Sequence, residues 1–231
     1  MTTCYAPAGG MVTRVGASAP SAMKDPKLVV SQAYDKIAER YLEWRAGQPR
    51  QGELARWLDL LREHVRSGAR VMDIGCGAGI PLTLALSKSF DVTGVDISAR
   101  QIELAVRNVP AASFIQGDVT TLEFARASFD AAVASYSLIH VPRAEHVGVF
   151  RSVARWLRPG GILLANFGTG NQEIDYDEDW LGAPQFWSSF DADGERAALL
   201  AAGFELVFDS IETIIEDGRP HRFLLVLARK A

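Results

Sequence analysis

The chain has 231 residues, 48% of them hydrophobic and 23% charged, enough for one well-cored domain and short for two. Its 24 Lys and Arg stand against 28 Asp and Glu, a net charge of −4, which disfavours a nucleic-acid partner bound through phosphate neutralisation. Cys4 and Cys76 are too few for a disulfide framework. No apolar run approaches the roughly 20 residues that span a bilayer, and no signal-peptide pattern opens the sequence. A cytoplasmic protein with free thiols and no membrane partner is expected.

Residues 1–26 are small, Gly- and Pro-punctuated and without periodicity, and read as a flexible leader. Residues 27–67 read as an N-terminal helical cap. Val30, Tyr34, Ile37 and Tyr41 recur at helical spacing, and a second stripe follows in Leu54, Trp57, Leu58, Leu61 and Val65. From residue 68 to 167 short β-rich runs (69–74, 91–96, 112–117, 129–136, 161–167) alternate with helical ones (79–88, 98–109, 144–157). That alternation implies an α/β fold, a parallel sheet with helices on both faces.

The connection 168–191 is longer than usual and concentrates Tyr176, Trp180, Phe186, Trp187 and Phe190. It reads as an acceptor-side insertion or lid, its acids from Glu173 to Asp179 forming a solvated face. Residues 192–231 hold a helix near 195–202 and two β-rich runs joined through Asp217-Gly218, which predicts an antiparallel pair.

The most informative stretch is Asp73-Ile74-Gly75-Cys76-Gly77-Ala78-Gly79, a buried strand entering alternating glycines before a helix. Dinucleotide binders use G-x-G-x-x-G with a pyrophosphate at the helix start. Here the spacing is G-x-G-x-G, and the Asp73 carboxylate would repel a pyrophosphate while suiting an ammonium. An NAD-dependent oxidoreductase is therefore the disfavoured rival.

Asp96 ends the next strand, 19 positions after Gly77, where a carboxylate can accept both hydroxyls of a ribose. Asp118 closes the following strand and suits an adenine amino group, with Ile97 and Val119 as apolar plates on the ring. Strand ends of an open α/β sheet meet at one crevice, so the three acids should converge. Cys76 reads as a small side chain in a tight loop, with no cationic neighbour to activate it.

These residues carry a resemblance. VMDIGCGAGI, VTGVDIS, IQGDV, FDAAVASYSLIHVP and LRPGG ahead of GILLANF, spanning 71–167, resemble the class I S-adenosylmethionine-dependent methyltransferases, especially their bacterial small-molecule branch. The resemblance implies a Rossmann-like seven-stranded, mostly parallel sheet with an antiparallel last strand. It implies S-adenosyl-L-methionine as cofactor, with Gly75, Cys76, Gly77 and Gly79 along its methionine end and Asp73 near its ammonium. Asp96 would take the ribose, Asp118 with Val119 the adenine, Gln101 the adenosine, and the Ser135 carbonyl the methionine amine. Tyr34 and Tyr41 match aromatics that cap such a pocket.

The implied activity is methyl transfer to a small-molecule metabolite or natural product. Ala134-Ser135-Tyr136-Ser137 replaces the Asn/Asp-Pro-Pro-Tyr motif of the enzymes that methylate nucleic-acid bases. Ser135 also stands where metal-dependent catechol enzymes carry an acid, so no metal is expected. Tyr41, Tyr136, His140, Trp180, Phe186 and Trp187 are the expected acceptor contacts. His140, just past the fourth strand, is the leading general-base candidate and His221 the second. His64 and His146 read as solvated. A non-catalytic module that keeps the cofactor fold is the second rival.

Overall fold

The computed structural model describes residues 25–48 and 52–231. Most of the expected leader, with Cys4, lies outside the described residues. The leader's last two positions instead start the first helix, α1 (Pro26–Gly47): Asp25 caps it by accepting from the Lys27 amide at 3.0 Å, and Pro26 fits the first turn. There follow α2 (Glu53–His64), β1 (Arg70–Ile74), α3 (Leu82–Leu86), β2 (Asp91–Asp96), α4 (Ala99–Asn108), β3 (Ser113–Gln116) and β4 (Phe129–Ala134). A 3₁₀ turn (Leu138–His140) leads into α5 (Arg143–Trp156), β5 (Leu157–Gly168), β6 (Asp175–Trp180), β7 (Ala183–Trp187), α6 (Ala192–Ala201), β8 (Phe204–Glu216) and β9 (Arg219–Lys230).

Seven strands form one sheet in the order β3-β2-β1-β4-β5-β9-β8. The β1, β2, β3, β4 and β5 pairings are parallel, and β9 runs antiparallel between β5 and β8. Period-two alternation divides the core. Met72, Ile74, Ala132, Ala134 and Leu163 meet α5 and α6 through Phe150, Val153, Trp156 and Leu199. Val71, Val92, Val133 and Leu164 face α2 and α3 through Trp57, Leu58, Leu61 and Leu86. Central strands buried on both faces are why these segments read as nearly continuous apolar runs. The chain reverses strand order between β1 and β4, which opens a crevice at their carboxyl ends.

The segment read as an insertion or lid contains secondary structure of its own. Strands β6 and β7 form a separate antiparallel ribbon, pairing Tyr176 with Phe186 and Trp180 with Ala183. Its side chains pack on α1, where Ala183 joins Ala33 and Ile37 in a small apolar cluster with Tyr34, Tyr41 and Trp180. Glu173, Asp175, Glu178 and Asp179 are exposed, as a solvated face requires. No helix among the described residues is long and apolar enough to cross a membrane.

Candidate active site

A cavity of about 210 Å³ lies at the carboxyl edge of the sheet, roofed by α1. Its floor is the loop after β1. Gly75 has φ +69°, and a Cβ there would lie 2.1 Å from Cβ of Ser137, whose hydroxyl donates to the Ile74 carbonyl at 2.6 Å. Only glycine lets the loop after β4 close so tightly over the loop after β1. Gly75, Cys76 and Gly77 line the cavity. Gly79 does not: a Cβ there would meet Val109 at 2.9 Å and Ala105 at 3.3 Å, so its smallness serves the packing of α4. Cys76 is a free thiol, and burial pushes its pKa well up, keeping it protonated.

The three acids do converge on this cavity. Asp73 is buried, accepts from the Thr83 hydroxyl at 2.6 Å, and is pushed up to about 7, chiefly by burial. Asp96 accepts from the amides of Gly77 at 2.8 Å and Ser98 at 2.9 Å. Burial still raises it to about 6 against those two hydrogen bonds. Asp118 accepts from the amide and hydroxyl of Thr120, each at 2.8 Å, and Lys27 lies 3.5 Å away. Ile97 and Val119 line the same end, and Ser135 and Tyr136 line the β4 end.

Gln101 tests whether a ligand belongs here. The Ser98 side chain caps α4 and receives the Gln101 amide at 3.1 Å, which sets the Gln101 side chain at the cavity wall. That side chain is 1% exposed, and neither its Oε1 nor its Nε2 has a hydrogen-bond partner. A buried amide left without partners is costly, and a polar ligand in the cavity would relieve it. Buried carboxylates at the ends of β1 and β2, with an open amide donor and acceptor beside them on α4, fit the ammonium and ribose of an adenosyl amino acid.

His140 also lines the cavity, but its ring is already engaged. Nδ1 lies 2.7 Å from the Phe186 carbonyl, which can only accept, so Nδ1 carries the proton. Burial lowers the pKa to about 4, so the ring is neutral and Nε2 bears a lone pair. That lone pair accepts the Tyr34 hydroxyl at 2.9 Å. The Tyr41 ring packs edge-on against Tyr34, their centroids 5.2 Å apart. Tyr34 and Tyr41 line the cavity, so the Tyr34 hydroxyl bonded to His140 forms part of its wall.

Other expected positions are corrected. Trp180, Phe186 and Trp187 are outside the lining. Trp180 packs behind the roof, 6.2 Å from Tyr34 and 5.9 Å from Tyr41 by ring centroids. Phe186 holds His140 through its carbonyl, and Trp187 lies 5.9 Å from the His140 ring. His221 is exposed on β9 and away from the cavity. His64 is exposed as expected. His146, expected to be solvated, is 1% exposed: it pairs with Glu195 at 3.1 Å, and its Nε2 reaches the carbonyls of Leu138 and Val141, which flank His140.

Three charged lining residues escaped the sequence reading: Lys27, Arg45 and Glu53. A signal existed for two of them. Lys27, Tyr34, Tyr41 and Arg45 fall at steps of seven, seven and four, one face of one helix. Among the described residues no group of three or more His, Cys, Asp or Glu side chains gathers as a metal site.

The family model that matches the chain is that of a methyltransferase domain, over residues 71–161, the stretch that supplies all three acids and the glycine loop. The 27-O-demethylrifamycin SV methyltransferase of Amycolatopsis mediterranei is 41% identical over 106 residues, covering 43% of this chain and 38% of that protein. The chain thus spans well under two thirds of the length of this curated relative. The fold extends beyond the methyltransferase domain. The Burkholderia thailandensis 1,6-didemethyltoxoflavin-N1-methyltransferase, solved with 1,6-didemethyltoxoflavin and S-adenosylhomocysteine, covers 93% of this chain and 94% of its own at TM-score 0.71 and 20% identity. The [4+2]-cyclase SpnF shares the fold at TM-score 0.68 and 21% identity, covering 91% of this chain and 97% of its own.

Proposed function

We propose that the protein transfers a methyl group from S-adenosyl-L-methionine to a small-molecule acceptor. The observation that carries this reading is the convergence of Asp73, Asp96 and Asp118 with the partnerless amide of Gln101 on one cavity, inside a methyltransferase domain. Asp73 is assigned to the ammonium, Asp96 to the ribose hydroxyls, Asp118 to the adenine amino group and Gln101 to the adenosine. Ile97 and Val119 flank the ring, and the Ser135 carbonyl faces the methionine amine. A natural-product acceptor is supported by the rifamycin and toxoflavin relatives. A net charge of −4 supports no nucleic-acid partner, and the free Cys76 thiol is in keeping with a reducing cytoplasm.

When bound, the cofactor supplies an electrophilic methyl on a sulfonium whose charge disperses during transfer. The chain's part is to position and dry the site. Tyr34, Tyr41 and α1 exclude water above the cavity, and Tyr136 walls its β4 side. A proton released by the acceptor is taken by the Tyr34 oxygen while the Tyr34 proton passes to His140 Nε2. Because burial keeps His140 a weak base, that uptake accompanies transfer and does not precede it.

The test is a mixture of the protein, S-adenosylmethionine with a deuterated methyl group, and a panel of small hydroxy, amino and thiol compounds. Mass spectrometry is expected to find at least one acceptor that gains the labelled methyl. His140→Gln and Tyr34→Phe should slow that transfer while sparing cofactor affinity. Tight cofactor binding with no transfer across the panel would favour the non-catalytic module.

A further inference from the structure

The His146 ring on α5 is buried among Phe150, Phe167 and Phe190, and it meets the buried Glu195 of α6. The proposed transfer uses neither residue. A buried pair of this kind is weak ground for stability, because apolar side chains of similar volume often pack as well or better. What the pair has and the phenylalanines lack is directed hydrogen bonds.

Those bonds run to both segments that hold His140. Nε2 of His146 lies 3.2 Å from the Leu138 carbonyl and 3.1 Å from the Val141 carbonyl. Carbonyls only accept, so Nε2 carries a proton and donates it at both ends of the 3₁₀ turn. On its other side the ring faces the Glu195 carboxyl at 3.1 Å. Glu195 in turn accepts the Phe190 amide at 3.1 Å, which anchors the stretch after β7. That stretch grips the same turn: the Ser188 amide donates to the Ile139 carbonyl at 2.8 Å, and the Phe186 carbonyl accepts Nδ1–H of His140 at 2.7 Å. A single 3₁₀ turn has poor internal hydrogen bonds, so its register against β7 depends on these ties. The tautomer of a neutral imidazole is set by the bond its other nitrogen makes. A turn that slips from Phe186 costs Nδ1 its acceptor, and a proton on Nε2 would then face the Tyr34 hydroxyl.

We propose that His146 and Glu195 are positioning residues, which hold His140 in the tautomer whose Nε2 receives the Tyr34 proton. The inference rests on the proposed function only for the use made of that proton; the tautomer is a property of the chain by itself. Neither residue lines the cavity, so their effect reaches the site through the turn and not through a ligand.

Nitrogen-15 NMR of the full chain labelled at histidine reads each ring's tautomer, with His140 assigned by its loss in His140→Gln. Wild type is expected to show His140 protonated on Nδ1 alone. Replacing both partners, His146→Leu with Glu195→Met, removes the hydrogen bonds and leaves no charge unpaired, so melting should stay within a few degrees of wild type. His140 should then show both tautomers. Glu195→Ala, a smaller change, should mix them as well. Glu195→Gln should keep the wild-type pattern, because its amide can donate to Nδ1 of His146 while its oxygen accepts from Phe190. With an acceptor that gains the labelled methyl, the double variant should lose about 10-fold or more in kcat, the scale of proton-transfer catalysis, and keep its S-adenosylhomocysteine affinity. Nδ1 unprotonated in wild type, or a His140 tautomer unchanged in the double variant and in Glu195→Ala, would overturn the proposal. So would a mixed tautomer with full kcat. Transfer to no acceptor at all would count against the function reading, and the tautomers would still decide the positioning.

Discussion

Two buried carboxyls make the cavity sensitive to pH. Asp73 is raised to about 7 and Asp96 to about 6, each mainly by burial. Ammonium and hydroxyl donors from a ligand favour the ionised forms. Affinity for S-adenosylhomocysteine should therefore rise between pH 5 and 8, with protons released on binding near pH 6 to 7. Titration in buffers of different ionisation enthalpy checks the release; a flat profile would remove Asp73 and Asp96 from the ligand contacts. The same shift bears on folding. A carboxyl whose folded pKa is raised contributes stability that is full below the ordinary value of 3.8 and is lost as pH rises through about 7. Asp73→Asn should consequently melt several degrees higher than wild type at pH 8 without ligand, the gap closing toward pH 4, and bind the cofactor poorly. Equal melting at both pH values would refute the buried-charge account. These residues were legible because acids at strand ends and glycines in a tight loop leave local marks. Arg45 and His146 were also marked, by phase: His146 falls in step with Val149, Phe150 and Val153, all buried. Residue type suggested solvent where helical phase indicated the core.

At the scale of elements, α1 is held from two sides. Toward α4 the contacts are polar: Asp35 accepts from the Ser98 hydroxyl at 2.7 Å, Ser31 donates to the Ile97 carbonyl at 3.3 Å, and Glu39 pairs with Arg100. Toward the β6–β7 ribbon they are aromatic, with Trp180 within 5.5 to 6.2 Å of Trp44, Trp187, Tyr41 and Tyr34. Trp180→Ala removes the centre of that cluster and should cost on the order of 2–3 kcal/mol. It should also speed hydrogen exchange in α1 and weaken S-adenosylhomocysteine several-fold, although Trp180 does not line the cavity. Unchanged exchange and affinity would mean that the ribbon does not support the roof. The parallel core was readable because its strands are buried on both faces. The ribbon was not, since β6 is the charged run Asp175–Trp180 and much of the apolar support for Trp180 comes from α1. Which way Trp180 and Trp187 face is decided by that distant helix, a tertiary fact with no local periodicity.

At the scale of the molecule, strand order and the crevice at β1 and β4 fix where a ligand sits, and the fold alone does not fix what is done to it. The [4+2]-cyclase SpnF makes the point, sharing most of the architecture. Chemistry therefore rests on the cavity wall, and the central claim is that this wall holds an adenosyl amino acid and not a dinucleotide. Thermal melting of the full chain with S-adenosylhomocysteine and, separately, NADH tests that claim most directly. A ligand specific for the folded state raises the melting temperature with its concentration. The account predicts a graded rise with S-adenosylhomocysteine, lost in Asp96→Ala, and none with NADH. No rise with S-adenosylhomocysteine, or a rise with NADH alone, would contradict it.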